Sequence, residues 1–135
     1  MRVISLNLNG IRSAARKGFF PWLAAQRADL VCLQEIRAQR PQLDDIQYFP
    51  APFHCFYHEA VKPGYSGVAL YSRRQPDAVQ YGFGWPQIDA EARYLELRFG
   101  DFRVSSLYLP SGSSGEVRQQ FKFALMDRLT DWLAA

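Results

Sequence analysis

No apolar run in this 135-residue sequence approaches the roughly 20 residues that a membrane-spanning helix requires. The opening residues Met1-Arg2-Val3-Ile4-Ser5-Leu6 have neither the apolar core nor the cleavage site of a secretory leader, so the expectation is a protein that stays in the cytoplasm. Cysteine is scarce. Cys32 and Cys55 stand alone, which argues against a disulfide framework and a cysteine-based zinc site, and Cys32 lies in an apolar run where a free thiol acts as a small core residue. His54 and His58 are the only histidines, and without a third ligand they make a poor catalytic zinc site and receive no role. The chain has no Gly-x-x-x-x-Gly-Lys loop for nucleoside triphosphates and no Gly-x-Ser-x-Gly nucleophile elbow. A strong charge of one sign is also missing, since the net charge is only +3. Thirteen of the sixteen basic residues are nevertheless arginine, whose planar fork suits bidentate phosphate contacts, although most are expected to be solvated surface groups.

What is present is ordinary globular material. With 48% hydrophobic and 21% charged residues, the chain suits one core and one domain. Arg2 to Leu8 reads as a strand. Gly10 to Gln26 carries helical spacing broken at Gly18 and Pro21, and Asp29 to Glu35 is a second apolar run of strand length, so the opening is a βαβ unit with parallel strands. Turn-rich sequence then leads to strand candidates at Phe53 to Glu59, Ser66 to Ser72, Ala78 to Phe83, Tyr94 to Phe99 and Phe102 to Tyr108, spaced as antiparallel hairpins. Ser113 and Glu116 stand at capping-box spacing, and Val117, Phe121, Leu125, Leu129, Trp132 and Leu133 predict one apolar stripe of a final helix lying on a sheet.

Three residues at strand ends draw attention. Glu35 closes the row begun by Val31 and Leu33, so a carboxylate terminates a core-facing face, where it needs either an arginine partner such as Arg37 or a hard cation. Asn7 ends the first strand as Glu35 ends the second, and the βαβ connection brings both to the carboxyl edge of one sheet, where ligands of open α/β sheets bind. Its amide can complete an oxygen shell or support the carboxylate, or Asn7-Leu-Asn9-Gly10 is a plain Asx turn. Tyr108 is placed at the rim by Leu109-Pro110, where its phenol either meets a phosphoryl or leaving oxygen or simply packs. Gly64-Tyr65-Ser66-Gly67 offers backbone N–H groups and a phenol to a phosphate, or is a turn before a strand.

Taken together and in order, Asn7-Leu-Asn-Gly-Ile-Arg12, Val31-Cys-Leu-Gln-Glu35, Gly64-Tyr-Ser-Gly-Val-Ala-Leu-Tyr71 and Ser106-Leu-Tyr-Leu-Pro110 resemble the exonuclease III family of apurinic/apyrimidinic endonucleases, with Leu109-Pro-Ser-Gly-Ser-Ser-Gly115 most like its bacterial branch. The resemblance covers the whole chain but about the first half of a typical member. It implies an α/β fold, a four-layer sandwich of two sheets with helices outside, each half of the chain contributing one sheet. It implies hydrolysis of phosphodiesters in duplex DNA, 5′ to abasic sites or at 3′ ends, with Mg²⁺ or else Mn²⁺ as cofactor. On this match Glu35 ligates the metal with Asn7 as its neighbour, Tyr108 is an active-site phenol, Arg12, Ser13 and Lys17 grip DNA phosphates, and Gly64 and Tyr65 approach the strand near the lesion.

The Gly-Asp-x-Asn segment that would supply a water-activating Asp, and the family's Asp-His pair, are not among these 135 residues. Residues 1–135 are therefore expected to be the N-terminal half of a larger domain, inactive alone, unstable alone because one sheet face bearing the Val31 row lacks cover, and dependent on the C-terminal half. Two other readings compete: a catalytically inactive nucleic-acid-associated regulator on the same scaffold, against which Asn7, Glu35 and Tyr108 speak, and a superfamily phosphatase or phosphodiesterase, whose motifs fit less well.

Overall fold

The computed structural model describes residues 1–110 and 115–134. In chain order the elements are β1 (Val3–Asn7), α1 (Ile11–Arg16), α2 (Phe19–Ala25), β2 (Leu30–Gln34), β3 (His54–His58), β4 (Val68–Ser72), β5 (Ala78–Tyr81), α3 (Pro86–Asp89), β6 (Tyr94–Phe99), β7 (Phe102–Leu107) and α4 (Glu116–Ala134). The break expected in the first helical segment is real. Gly18 takes the left-handed conformation between α1 and α2, and Pro21 falls in the first turn of α2, where its missing N–H costs nothing. β1 and β2 run parallel across this connection, and β4 and β3 add antiparallel, giving a mixed sheet ordered β1-β2-β4-β3. A second, antiparallel sheet follows, ordered β5-β6-β7, with Gly100 and Asp101 turning β6 into β7. Among the described residues no helix is long and apolar enough to cross a membrane.

The chain therefore supplies strands to two sheets, which corrects the expectation that this half contributes only one. The alternation along β2 shows how the layers stack. Val31 and Leu33 pack under Ile11, Phe19 and Leu23 of the helices. Their neighbours Leu30 and Cys32 join Val68 and Leu70 against Leu95, Leu97 and Phe99 of the second sheet. On the far face of that sheet Tyr94 meets Ile88, Leu125 and Leu129. Helix, sheet, sheet and helix thus form four layers within this chain. The Val31 row expected to lack a cover is covered by the chain's own helices, and the opposite face by the chain's own second sheet. What stays open is β1. The second sheet packs over β2 and β4, and Val3, Ser5 and Asn7 of the edge strand remain exposed.

The stripe expected on α4 needs one correction. Leu125 and Leu129 are buried with Phe121 and Trp132 packed beside them, but Leu133 is exposed. Each helical residue turns by about 100°, which carries Leu133 away from the stripe that ends at Trp132. Ser113, the N-cap of the expected capping pattern, lies outside the described residues.

Candidate active site at the strand ends

The carboxyl ends of β1 and β2 meet the start of β4 in a continuous backbone mesh. Leu8 N donates to Gln34 O at 2.9 Å and Gly10 N to Glu35 O at 2.8 Å, while Ile36 N and Arg37 N donate to Gly67 O and Ser66 O at 3.1 and 2.8 Å. Held from both sides, Glu35 and Arg37 take the left-handed conformation, with φ of 54° and 53°. Buried Ile36 anchors the segment between them. Gly67, at φ 87°, leaves little space for a side chain, because an added Cβ would lie 3.2 Å from the Ile36 Cβ and press on it. Behind this segment, buried Gln34 donates to Ser106 Oγ at 3.0 Å, and Ser106 Oγ donates to Leu33 O at 3.0 Å, tying the first sheet to β7.

Glu35 is the carboxylate this mesh presents, its side chain 15% exposed. The Tyr108 hydroxyl donates to Glu35 Oε1 in a short hydrogen bond, so two of the expected residues come together across the two sheets. Arg37 Nη2 lies 3.6 Å from Glu35 Oε2, on a side chain that is 45% exposed and screened by water. Burial, followed by the hydrogen bond and charge of Glu35, holds the Tyr108 phenol above its ordinary pKa. Tyr108 therefore keeps its proton at neutral pH and acts as a donor. Asn7 is exposed, and its Oδ1 accepts from Asn9 N at 2.9 Å, so the Asx turn is present.

Among the described residues no group of three or more His, Cys, Asp or Glu gathers as a metal site. The donor set still fits a hard cation that takes one or two carboxylates and completes its shell with water and phosphate oxygens. Glu35 has acceptor capacity beyond the Tyr108 bond, since an ionised carboxylate offers about four lone-pair sites.

The residues expected to grip DNA divide between two grooves. Arg12, Ser13 and Gly64 line a groove of about 300 Å³ together with Gly10, Arg16 and Arg37. Arg12 Nη2 donates to Arg37 O at 3.2 Å, which binds the groove to the Glu35 segment. Lys17 is not there. It lines a different groove, of about 400 Å³, with Asn7, Asn9, Phe19 and Trp22.

Tyr65 sits in a second network. The Arg93 guanidinium, its side chain 3% exposed, bonds Glu91 Oε1 at 2.7 Å through Nε, Tyr108 O at 3.2 Å through Nη1 and the Tyr65 hydroxyl at 2.9 Å through Nη2. Arg118 also reaches the Tyr65 hydroxyl, at 3.4 Å.

The profile of the endonuclease/exonuclease/phosphatase family matches residues 4–135. The chain belongs to this family. An exodeoxyribonuclease of Bacillus subtilis is 37% identical over 97% of the chain, which covers 53% of that relative. The zebrafish (Danio rerio) DNA repair nuclease APEX1 is 33% identical over 90% of the chain, covering 40% of that protein. The solved structure of an AP endonuclease from Archaeoglobus fulgidus superposes with a TM-score of 0.82 and 26% identity over 96% of the chain and 50% of its own. The chain thus spans about half the length of the curated relatives it matches.

In this member of the endonuclease/exonuclease/phosphatase family the expected Glu35 and Tyr108 come together with Arg12 close by, and the structure adds Arg16, Arg93, Glu91 and Arg118, which the sequence did not single out. A signal for Arg93 existed. The hairpin pairing Tyr94 with Leu107 puts the preceding Arg93 opposite Tyr108, whose N–H donates to Arg93 O at 2.9 Å.

Proposed function

We propose that this protein is a cytoplasmic DNA repair nuclease that hydrolyses phosphodiesters in duplex DNA, 5′ to abasic sites or at 3′ ends, with Mg²⁺ or Mn²⁺. The observation that carries the reading is the contact of Glu35 with Tyr108 at the strand rim, beside a groove lined by Arg12, Arg16 and Arg37. Glu35 would hold the ion with Asn7 as its neighbour. When bound, the ion supplies Lewis-acid stabilisation of charge developing on the phosphate. The chain's own residues bind and orient. Arg12, Arg16 and Ser13 take backbone phosphates without reading bases, Lys17 extends that contact, and Gly64 and Tyr65 approach the strand near the lesion. Tyr108, kept protonated, would turn its single O–H from Glu35 to a phosphoryl or leaving oxygen once the carboxylate holds the ion. In this reading residues 1–135 are the N-terminal half of the domain, and the water-activating Asp and the Asp-His pair come from a C-terminal half.

The test is to incubate the full-length gene product with duplex DNA carrying one abasic site, with and without Mg²⁺. Mg²⁺-dependent nicking that falls by orders of magnitude in Glu35→Gln, with the fold intact, supports the reading. Equal nicking by parent and variant sinks it.

A further inference from the structure

We propose that Arg93 is a positioning residue, which rests on the nuclease reading: its buried guanidinium makes the Tyr65 hydroxyl a dedicated hydrogen-bond donor to a DNA phosphate and holds Tyr108 beside Glu35. A tyrosine hydroxyl has one proton and two lone pairs, and a guanidinium donates only. Arg93 at 2.9 Å and Arg118 at 3.4 Å therefore occupy the lone pairs of Tyr65, and among the described residues the hydroxyl proton has no acceptor. Tyr65 is half-buried, so this proton is available to a ligand. The ligand that suits it is an anion. Among the described residues Glu91 is the one carboxylate the two guanidinium groups share, at 2.7 and 3.7 Å, and Lys62 Nζ stands 5.0 Å from the centre of the Tyr65 ring, so positive charge is in excess among them.

The same guanidinium serves Tyr108. It donates to the Tyr108 carbonyl at 3.2 Å and lies 4.9 Å from the centre of that ring, while Tyr108 N donates back to Arg93 O at 2.9 Å. Burial of a charge this complete is expensive unless it is paired and hydrogen-bonded, and here each of the three guanidinium nitrogens has a partner, in Glu91, Tyr108 and Tyr65. Lysine cannot reproduce that geometry. Arg93 thus couples the loop that meets the strand to the phenol beside the carboxylate, without touching DNA.

The test is a binding cycle on the full-length gene product, using a fluorescent duplex with an abasic analogue and the variants Tyr65→Phe, Arg93→Lys and their combination. Arg93→Lys retains the charge and the fold, checked by its thermal melt, and Tyr65→Phe retains the ring. Each single change is expected to weaken binding by about tenfold, the value of one charge-assisted hydrogen bond. The double variant should bind no more weakly than about the worse single one, because both changes remove the same contact. Parental affinity in Tyr65→Phe, or effects that multiply in the double variant, would overturn the proposal. Failure of Glu35→Gln to slow nicking would instead remove the nuclease reading and leave the binding cycle to judge Arg93 by itself. A parent that does not bind duplex DNA overturns both.

Discussion

At the end of the sandwich where β1 and β2 finish, Asn9, Glu35, Arg37 and Ser66 hold φ between 49° and 54°, and Ala92, just before Arg93, sits at 51°. At the opposite end, around Met1, Asp29 and Arg73, Arg27 is the one such residue among those described. Charges are handled differently as well. Arg73 donates to Ala28 O at 2.6 Å and lies over the Phe53 ring, Arg74 lies over Phe99, and Asp29 accepts from Arg2 N at 2.7 Å. Those groups are tied to backbone or aromatic faces. A concavity of about 370 Å³ exists there, but it is ordinary surface between satisfied groups. At the first end, strained backbone holds a carboxylate, two phenols and several guanidinium groups toward one another. Each left-handed non-glycine residue costs on the order of 1–3 kcal/mol, so strain gathered at one end marks where side-chain placement outweighs stability.

The comparison is broken most sharply by exchanging the effects of its two ends. Glu35→Gln should lower turnover by orders of magnitude and leave the melting temperature nearly unchanged, measured by single-turnover nicking and calorimetry. Arg73→Met, at the opposite end, should leave turnover unchanged; if it slowed nicking, the division of labour between the ends would fail. Next in size is Gly67→Ala, which must push Ile36 while adopting φ 87° and should cost about 1–3 kcal/mol in denaturant unfolding. Its nicking should fall too, because the same backbone holds Glu35. Arg12→Ala and Lys17→Ala should each flatten the salt dependence of duplex binding by about one unit of slope, equally for all sequences. Because the two residues line separate grooves, their effects should add.

The smallest effect concerns acid. Burial holds the His58 imidazole below its ordinary pKa, opposed by Asp89 and Glu59, and its Nε2 has no partner among the described residues. A histidine whose folded pKa is depressed adds stability above the unfolded pKa. That contribution is lost as pH falls through the ordinary histidine range toward the folded value. Unfolding followed from pH 8 to pH 5 should therefore show a loss that His58→Gln removes. An unchanged slope in that variant would assign the loss to other groups.

Much of the first end was readable in the sequence because strand ends and period two are local properties. Asn7 and Glu35 share an edge once two parallel strands are recognised, and Tyr108 follows from the proline that stops its strand. The cover on each face was not readable. β2 is buried on both sides, so alternation says that Val31 and Leu33 share a face without saying whether helix or sheet lies over it. Arg93 was hidden for a related reason. One arginine among thirteen carries no mark of burial until the β6–β7 pairing places it against Tyr108 and a loop distant in sequence meets its other side.

The separation in sequence of the latches between the sheets has a consequence for the order of folding. Glu35 and Tyr108 are 73 residues apart, and Gln34 and Ser106 are 72 apart. Contacts of such long range form only after the entropy of closing the intervening chain has been met. In refolding the Tyr108 amide, which bonds Arg93 O only 15 residues away, should gain protection with its own hairpin. Ser106→Ala, by contrast, should speed unfolding and leave the folding rate nearly unchanged, as for a contact formed last. The carboxylate would then stand alone until the β6–β7 hairpin docks, and the arrival of its phenol would time the closure of the sandwich.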